Sequence, residues 1–397
     1  MPSRWFGISA IFYCLALGAA PPELFNQRSQ PMGTQYDSSN KLQAVPLVQQ
    51  SYYLSDIPPR FQWFNYHGYC GETSLVSAGL KFGQYVSQYA VRQLIVGGGT
   101  QATEQVLLGS NAASAADQLH LGNTSHVGAV GQTGAFLNWV KAYILNECPV
   151  IIGVYTNENL FYNHRSCGSE GDPEYDHIVP VLAIKSFHSL DPPTLPPSPL
   201  LPYYGDDRIV FSDNGLQGPV DNPTNAPCPP NPADPYTFEY SFDGFQKTRE
   251  KANCSDGPWY SIASAANTHA IAILGVKDLN DDTIPIVVST NKSSGCTEPG
   301  LGQYVNFEYP EISTLAAPTP MPLSLVVTVS IPDTSQSYNL YLYTDLTLIP
   351  DSQFNMNAGN AAMSWVIPAN SGNTYVLNYN IQSDQVAAFR AVSTSAP

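Results

Sequence analysis

The chain has 397 residues, 43% of them hydrophobic and 12% charged, with a formal net charge of −16 and a pI near 4.6. A protein that binds a phosphate backbone needs clustered cations, and no run of Lys or Arg is dense enough, so the composition argues against nucleic acid as a partner. The apolar content argues against disorder over most of the length. The length allows two domains.

Residues 1–20 have the pattern of a secretory signal peptide. Arg4 is the only cation there, a largely apolar stretch runs from Trp5 to Leu17, and small residues follow. The competing interpretation is an uncleaved membrane anchor, but the stretch is short for a span of about 20 residues. We therefore expect a secreted chain without membrane contact once the signal is removed, although Pro21 and Pro22 leave the cleavage position open. Residues 21–50 lack periodicity and are expected to form a flexible leader.

The cysteine content fits an oxidising compartment. Six cysteines follow the signal segment: Cys70, Cys148, Cys167, Cys228, Cys254 and Cys296. The proline-rich stretch from 215 to 258 needs stapling, so we expect a disulfide between Cys228 and Cys254, and next one between Cys148 and Cys167. If Cys70 is unpaired, a second cysteine must be unpaired as well, and Cys148 and Cys296 are the candidates.

Three sequons add to the secretory pattern. They begin at Asn123, Asn253 and Asn291. In a secreted chain such asparagines accept glycans where they lie in surface loops. The sequence therefore predicts a glycoprotein.

The order of the predicted elements indicates an α+β fold over residues 51–310. Helical spacing of apolar residues is found at 71–82, 86–96, 111–119 and 132–146. Strand patterns follow at 150–155, 177–184, 208–212, 270–276 and 284–289. Pro180 lies inside the second of these strands, which argues for an edge position or a bulge there.

The last part of the chain has a different pattern. After a linker-like segment at 317–320, short apolar runs alternate with Asn, Gly, Pro and Ser, at 323–331, 338–344, 363–367, 374–379 and 385–392. This spacing predicts a small all-β, sandwich-like domain over residues 318–397. Its role in the protein is left open by the sequence.

A cysteine stands where a loop enters the first predicted helix, in the segment Gly68-Tyr69-Cys70-Gly71. The N–H groups and the dipole at a helix N-terminus favour an anion, which would increase the thiolate fraction of Cys70. The alternative is an ordinary disulfide cysteine. The position nevertheless makes Cys70 a candidate nucleophile.

Two residues further along the chain complete the pattern. His177 opens one strand, and Asp213 closes the next strand. If the two strands are antiparallel neighbours, an imidazole and a carboxylate meet at one end of the sheet. A thiolate, an imidazole and a carboxylate are the groups that catalyse acyl transfer through a covalent thioester.

The combination resembles the papain superfamily, and within it the bacteriocin-processing peptidases. Their order is a Gln, then Cys-Gly at a helix start, then His-x-Val-x-Val on a strand, then Asp or Asn after the next strand. The resemblance covers residues 57–215 and implies a papain-like fold, with N-terminal helices packed on an antiparallel sheet. It implies that Cys70 is the nucleophile, His177 the general base and acid, and Asp213 the orienting residue, with Gln62 in the oxyanion hole.

Several departures keep alternatives open. Gln62 is farther from the cysteine than is usual, so Asn65 competes for the oxyanion role. Asn214 competes for the orienting role, and His269 opens another strand and is a rival base. Glu72 stands where the family often has a small or neutral residue, so it either caps the helix or weakens the thiolate.

No cofactor and no metal site is expected. The segment from Asp278 to Asp282 is similar to the start of a calcium loop, but Thr283 replaces the required glycine and Ser289 stands in place of the bidentate Glu. A solvated hairpin loop is the preferred interpretation. Neither a zinc motif nor a serine-hydrolase elbow is present in the sequence.

The sequence as a whole predicts a secreted cysteine hydrolase, a peptidase or amidase with a peptide or amide substrate. The alternative is an inactive, disulfide-stapled recognition protein or cell-wall-associated protein with the same fold. Substrate specificity, the choice between hydrolysis and acyl transfer, and the oligomeric state depend on surfaces that the sequence does not reveal.

Overall fold

The computed structural model describes residues 32–36, 42–46, 49–54, 57, 68–96, 100–101, 104–129, 131–157, 159, 167–168, 174–214, 237–262, 268–290, 297–298, 302–303 and 322–396. Within these residues the protein is a mixed α/β structure with mostly antiparallel sheets and few helices. The predicted signal peptide, most of the predicted leader and the linker at 317–320 lie outside the described residues. No helix of the described part has both the length and the hydropathy to span a membrane.

Six helices are present in the described residues. They are α1 (Cys70–Lys81), α2 (Gln88–Gln93), α3 (Ala112–Gln118), α4 (Thr133–Leu145), α5 (Phe242–Phe245) and α6 (Arg249–Ala252). The predicted helices at 71–82, 111–119 and 132–146 are thus confirmed to within a residue or two. The predicted helix at 86–96 is shorter, because Ser87 caps α2 by accepting a hydrogen bond from the N–H of Ala90 at 3.0 Å.

An eight-stranded sheet carries the helical part of the chain. Six strands run in the order β5-β11-β6-β7-β8-β9, while β3 pairs with β7 and β10 pairs with β6. The strands are β3 (Gln50–Tyr53), β5 (Leu121–Gly128), β6 (Val150–Thr156), β7 (His177–Ser186), β8 (Arg208–Ser212), β9 (Thr237–Ser241), β10 (Tyr260–Ser261) and β11 (Thr268–Val276). The strand pairings within the described part of this sheet are antiparallel.

The two faces of this sheet are buried by different helices. One face packs Ile152, Val154 and Val179 against Phe136 and Val140 of α4. The other face packs against α1 and α3 and includes Ile151, Ile178, Ile271, Leu75 and Ala115. Successive side chains of a strand point to opposite faces, and both faces of this sheet are covered, so the central strands β6 and β7 are buried along almost their whole length.

Pro180 lies in β7, which has β6 on one side and β8 on the other, so the predicted edge position is wrong. The β7–β8 register shifts between Val181 and Ala183, just past Pro180, so the sheet has a bulge or an irregularity near the proline. Pro180 itself pairs with Ile151 of β6, and the β7–β8 pairs begin at Val181.

The C-terminal part consists of two sheets, a three-stranded sheet in the order β12-β15-β18 and a four-stranded sheet in the order β17-β16-β19-β4. Their strands are β4 (Gln84–Val86), β12 (Ile286–Thr290), β15 (Pro322–Ser330), β16 (Tyr338–Tyr343), β17 (Met363–Ile367), β18 (Thr374–Gln382) and β19 (Val386–Ser393). One core cluster contains residues from both sheets, such as Leu325 and Phe389. Two of these strands, β4 and β12, belong to the segment 51–310, for which the sequence predicts the α+β fold. Short strand pairs, β1 (Met32–Tyr36) with β2 (Leu42–Pro46) and β13 (Thr297–Glu298) with β14 (Gly302–Gln303), complete the described elements.

The disulfide of the structure differs from both predicted pairings. Cys167 is bonded to Cys254, so Cys254 does not pair with Cys228, and Cys167 does not pair with Cys148. The two bonded residues are 87 positions apart, and only the fold brings their loops together. Cys70 and Cys148 are free thiols. Cys228 and Cys296 lie outside the described residues.

The sequons are not equivalent in the fold. Asn253 is fully buried, so a glycan on it is incompatible with this structure. Asn123 lies on β5 and its amide donates to Asp117 at 3.2 Å. Asn291 lies outside the described residues, and glycosylation of the chain stays a prediction.

Candidate active site

Cys70 is the first residue of α1, and its thiol is free and half-buried. The preceding residue, Tyr69, is the N-cap and makes no side-chain cap hydrogen bond, while its carbonyl accepts from the N–H of Thr73 at 2.9 Å. The N-terminus of α1 therefore has no side-chain oxygen from the N-cap to satisfy its first N–H groups. Such an end attracts an anion at the sulfur.

Gly71 allows the chain to pass very close to a second loop. A Cβ at this position would lie 2.4 Å from the carbonyl oxygen of Val106. Backbone cannot move out of the way as a flexible side chain could. Glycine after the cysteine is therefore a packing requirement of the site.

The structure brings together the three residues expected to form a catalytic group. His177 begins β7 and Asp213 directly follows β8, and these strands are antiparallel neighbours. Nε2 of His177 lies 3.2 Å from Oδ1 of Asp213, and both side chains are buried. The side chain of His177 also lies close enough to Cys70 for the two groups to interact, and this interaction raises the pKa of the ring. Because Nε2 faces the carboxylate, Nδ1 is the ring nitrogen left for the sulfur.

The ionisation of His177 reflects these contacts. Burial disfavours the imidazolium, but the hydrogen bonds to Asp213 and Cys70 outweigh burial and raise the pKa of His177 to about 9. At neutral pH the ring is therefore an imidazolium.

Tyr260 orients the carboxylate from the other side. Its hydroxyl donates to Oδ2 of Asp213 at 2.8 Å, and its ring stacks near that of His177, with centroids 6.3 Å apart. Tyr260 is fully buried. It lies on β10, a two-residue strand that the sequence pattern did not predict, so only the fold identifies it as part of the site.

Asn214 does not orient the histidine. Its Nδ2 instead donates to the carbonyl of Cys70 at 3.0 Å, to the carbonyl of Ile178 at 2.9 Å and to Oγ of Ser74 at 3.2 Å. Ser74 Oγ also donates to the Cys70 carbonyl at 2.8 Å. The adjacent residues Asp213 and Asn214 thus contact the histidine and the cysteine respectively.

Glu72 is neither a cap nor an isolated charge. It is fully buried, and Oε1 accepts from Nε of Arg92 at 2.7 Å and from the N–H of Val106 at 3.0 Å. Arg92 is buried as well and donates to the carbonyls of Gln101 and Gly68. Burial raises the pKa of Glu72, and the adjacent guanidinium opposes that rise. The pair ties α1, α2 and the loop before Cys70 together.

His269 is separated from the catalytic group. Its ring meets that of Tyr175 edge-on with centroids 5.6 Å apart, and Nε2 lies 3.9 Å from the Glu174 carboxylate. Burial lowers the pKa of His269, which favours the neutral ring. Tyr175, whose hydroxyl donates to the Leu108 carbonyl at 3.1 Å, lies between His269 and Cys70 and interacts with both. The histidine that interacts with Cys70 and with Asp213 is His177.

Gln62 and Asn65, the two candidates for the oxyanion hole, lie outside the described residues, as does His67. Their roles stay predictions. Of the donors that the resemblance implies for this hole, the structure describes the N–H of Cys70 at the start of α1.

The second free thiol lies elsewhere. Cys148 is buried directly before β6, and its Sγ lies 3.4 Å from the carbonyl of Asn146. Burial raises the pKa of Cys148 to about 11. It is a protonated, inert thiol at neutral pH.

Two clusters of side chains in the described residues offer oxygen or nitrogen ligands of the kind that bind cations. In the Asp278 loop, the carboxylate accepts from the N–H groups of Asn280 and Thr283, at 3.1 and 2.7 Å, as in a capped hairpin turn. His188, Asp206 and Asp207 cluster at another place, but Lys141 already pairs with Asp207 at 2.5 Å. Neither arrangement gives a specific argument for a metal.

Comparison with known proteins adds no relative. No family model matches the chain, and no curated protein or solved structure is similar to it. The function can therefore be inferred only from the geometry of the site.

Proposed function

We propose that the protein is a cysteine hydrolase, a peptidase or amidase with a papain-like catalytic unit. The observation that supports this most directly is the free Cys70 thiol at the start of α1, beside a buried His177 whose Nε2 faces Asp213. A buried histidine with a raised pKa beside a half-exposed thiol is typical of a nucleophile and its base.

The first half-reaction follows from these contacts. The Cys70 thiolate attacks the carbonyl carbon of an amide, and the carbonyl oxygen becomes an oxyanion. The His177 imidazolium then gives its proton to the amide nitrogen, the C–N bond breaks, and the amine leaves. A thioester on Cys70 and a neutral His177 result.

The second half-reaction restores the site. Neutral His177 takes a proton from water while the water oxygen attacks the thioester carbonyl. The C–S bond breaks, the acid is released, and the thiolate and imidazolium are regenerated. Asp213 keeps the ring oriented in both halves and stabilises its charged form.

The oxyanion needs hydrogen-bond donors at the N-terminus of α1. The N–H of Cys70 is one donor in this proposal, and the side chain of Gln62, or of Asn65, is the second. Removal of one such donor in a hydrolase slows turnover by about 100-fold or more. Gln62→Ala and Asn65→Ala, compared at equal folded fraction, identify which side chain has this role.

The proposal includes secretion. It is supported by the signal-like residues 1–20 and by the disulfide between Cys167 and Cys254, a bond that forms and persists in oxidising compartments. The substrate would then be an extracellular peptide or amide. Expression of the full chain in a secreting host, with sequencing of the N-terminus of the product, tests this part.

The central test is selective alkylation of the native protein. We expect iodoacetamide at pH 6.5 to label Cys70 and to leave Cys148 unlabelled, because the raised pKa of Cys148 keeps it protonated. In His177→Ala the rate at Cys70 should fall by up to about 100-fold, because an unassisted thiol of pKa about 8.5 is only about 1% thiolate at that pH. Peptide mapping by mass spectrometry distinguishes the two cysteines.

Activity assays complete the test. Hydrolysis of a peptide or amide library should disappear in Cys70→Ala and persist in Cys148→Ala. A Cys70 that alkylates no faster than an unfolded control would contradict the proposed nucleophile. In that case the inactive recognition or cell-wall-associated protein becomes the better interpretation of the same fold.

A further inference from the structure

Asn214 occupies a position that the proposed chemistry does not use. The buried side chain lies next to Asp213, but its amide is directed at α1 and β7 rather than at the His177 ring. It joins the carbonyl of Cys70 to the carbonyl of Ile178, the residue that follows His177. One amide group therefore bridges the backbone of the nucleophile and the backbone of the base.

We propose that Asn214 is a positioning residue that holds the Cys70 end of α1 against the start of β7, so that the sulfur stays within hydrogen-bond reach of His177. The inference rests on the proposed function, because the catalytic group is the one proposed above. It assigns different roles to two adjacent side chains after β8: Asp213 fixes the ring, and Asn214 fixes the sulfur.

The contacts make this bridge specific to an amide donor. Nδ2 of Asn214 supplies N–H groups to the carbonyls of Cys70 and Ile178, both within 3.0 Å. Ser74 contributes a second link, since its hydroxyl donates to the Cys70 carbonyl and accepts from Asn214. Alanine cannot replace these donors, and a serine hydroxyl has only one proton to give.

The consequence for reactivity comes from distance. A hydrogen bond requires a narrow range of donor–acceptor distance and angle, so a shift of about 1 Å at Cys70 would break its contact with His177. Misplacement of a reacting group by about 1 Å slows a reaction by about 100-fold. The charged groups that face His177 in the described residues are Asp213 and Cys70, so loss of the sulfur leaves Asp213 as its charged partner.

The experiment follows the titration of the His177 ring by NMR, a readout that does not require any substrate. We expect the midpoint for His177 to fall in Asn214→Ala toward the value in Cys70→Ala, because the sulfur no longer stabilises the imidazolium. The double variant Asn214→Ala with Cys70→Ala should show no further fall. Asn214→Ser, which keeps one donor, should lie between wild type and Asn214→Ala and serves if the alanine variant does not fold.

Asn146→Ala is the matched control. The Asn146 amide also bridges two carbonyls, those of Ala142 and Pro193, at 2.9 and 2.8 Å, but at the C-terminal end of α4. Its loss should change the stability without moving the His177 midpoint. Alkylation of Cys70 at pH 6.5 should slow by about tenfold or more in Asn214→Ala and by less than about twofold in Asn146→Ala.

The outcomes separate the two proposals. A folded Asn214→Ala or Asn214→Ser with the wild-type His177 midpoint and alkylation rate overturns the positioning role, even if the wild-type protein is an active hydrolase. A wild-type protein without hydrolytic activity, in which the Asn214 variants still shift the His177 midpoint, overturns the proposed function and supports the positioning role.

Discussion

The Tyr260 hydroxyl donates a 2.8 Å hydrogen bond to the oxygen of Asp213 that does not face His177. The carboxylate is thus held at both oxygens inside a buried environment. A buried carboxylate that loses either hydrogen-bond partner is less well oriented, and the folded protein is less stable. The buried Tyr260 and Asp213 together therefore control the direction in which the His177 imidazole points.

Tyr260→Phe tests this arrangement. The ring stays in its apolar surroundings, but Asp213 loses one donor, and a hydrogen bond to a charged group contributes about 1.5 to 3 kcal/mol. We expect kcat to fall by about tenfold with little change in KM. Tyr341→Phe, which removes a hydroxyl bonded to Asn355 at 2.8 Å in the C-terminal sheets, should leave kcat unchanged. Equal losses in both variants would contradict the orienting role.

Asp213→Asn should shift the alkaline limit of activity. The His177 pKa of about 9 is raised by Asp213 and Cys70, and amide substitution removes the stabilising negative charge. The imidazolium then loses its proton at a lower pH, so the alkaline limb of the kcat/KM profile should move to lower pH. Asp351→Asn, at the exposed pair with His120, provides the comparison and should not move the limb. A shift to higher pH would refute the assignment of His177 as the proton donor.

Arg92→Leu should strongly destabilise the protein. The change leaves Glu72 buried without its ion-pair partner, and breaking a buried pair in this way costs about 3 to 5 kcal/mol. Lys185→Met, which breaks the partly exposed pair with Glu239, should cost less than about 1 kcal/mol. Urea unfolding of each variant gives the free energies of unfolding.

The double variant Glu72→Gln with Arg92→Leu separates charge from packing. With no buried charge left, it should be about 1 kcal/mol or more stable than Arg92→Leu alone. If the double variant is the less stable of the two, then packing of the arginine, and not the ion pair, accounts for the loss.

Gly71→Ala should be destabilising despite the high helix propensity of alanine. Its Cβ would lie 2.4 Å from the Val106 carbonyl oxygen, so α1 or the neighbouring loop must shift, at a cost of about 1 to 3 kcal/mol. At Gly359 an added Cβ meets nothing within 4 Å, and Gly359→Ala should be close to neutral. Thermal unfolding and the Cys70 alkylation rate should both change in Gly71→Ala only.

Local patterns were enough to predict that Cys70, His177 and Asp213 lie together. The placement of Cys70 at a helix start, and of His177 and Asp213 at the facing ends of two strands, follows from periodicity along the chain, and the pairing of β7 with β8 brings the last two together. The sequence indicates Asn214 only as an alternative to Asp213 for the orienting role. Its true direction depends on how α1 lies on the sheet, which no local pattern contains.

Other features depend on contacts between distant parts of the chain. Cys167 and Cys254 are bonded although they are 87 positions apart in the sequence. A prediction based on the proline-rich stretch alone therefore paired each of them with the wrong cysteine. Arg92 and Tyr260 occupy unremarkable positions in the sequence, on a short helix and on a two-residue strand. Their importance arises from burial beside Glu72 and Asp213, which only tertiary packing produces.

The strand that follows α1 has a consequence for the order in which the protein matures. β4 pairs with β19, where Val86 lies opposite Val386, and the Tyr85 hydroxyl donates to the Ser383 carbonyl at 2.7 Å. The far end of the nucleophile helix is thus held by residues translated about 300 positions later. During synthesis this end of α1 gains its β19 partner only after residues 386–393 have emerged from the ribosome, long after α1 itself has been made.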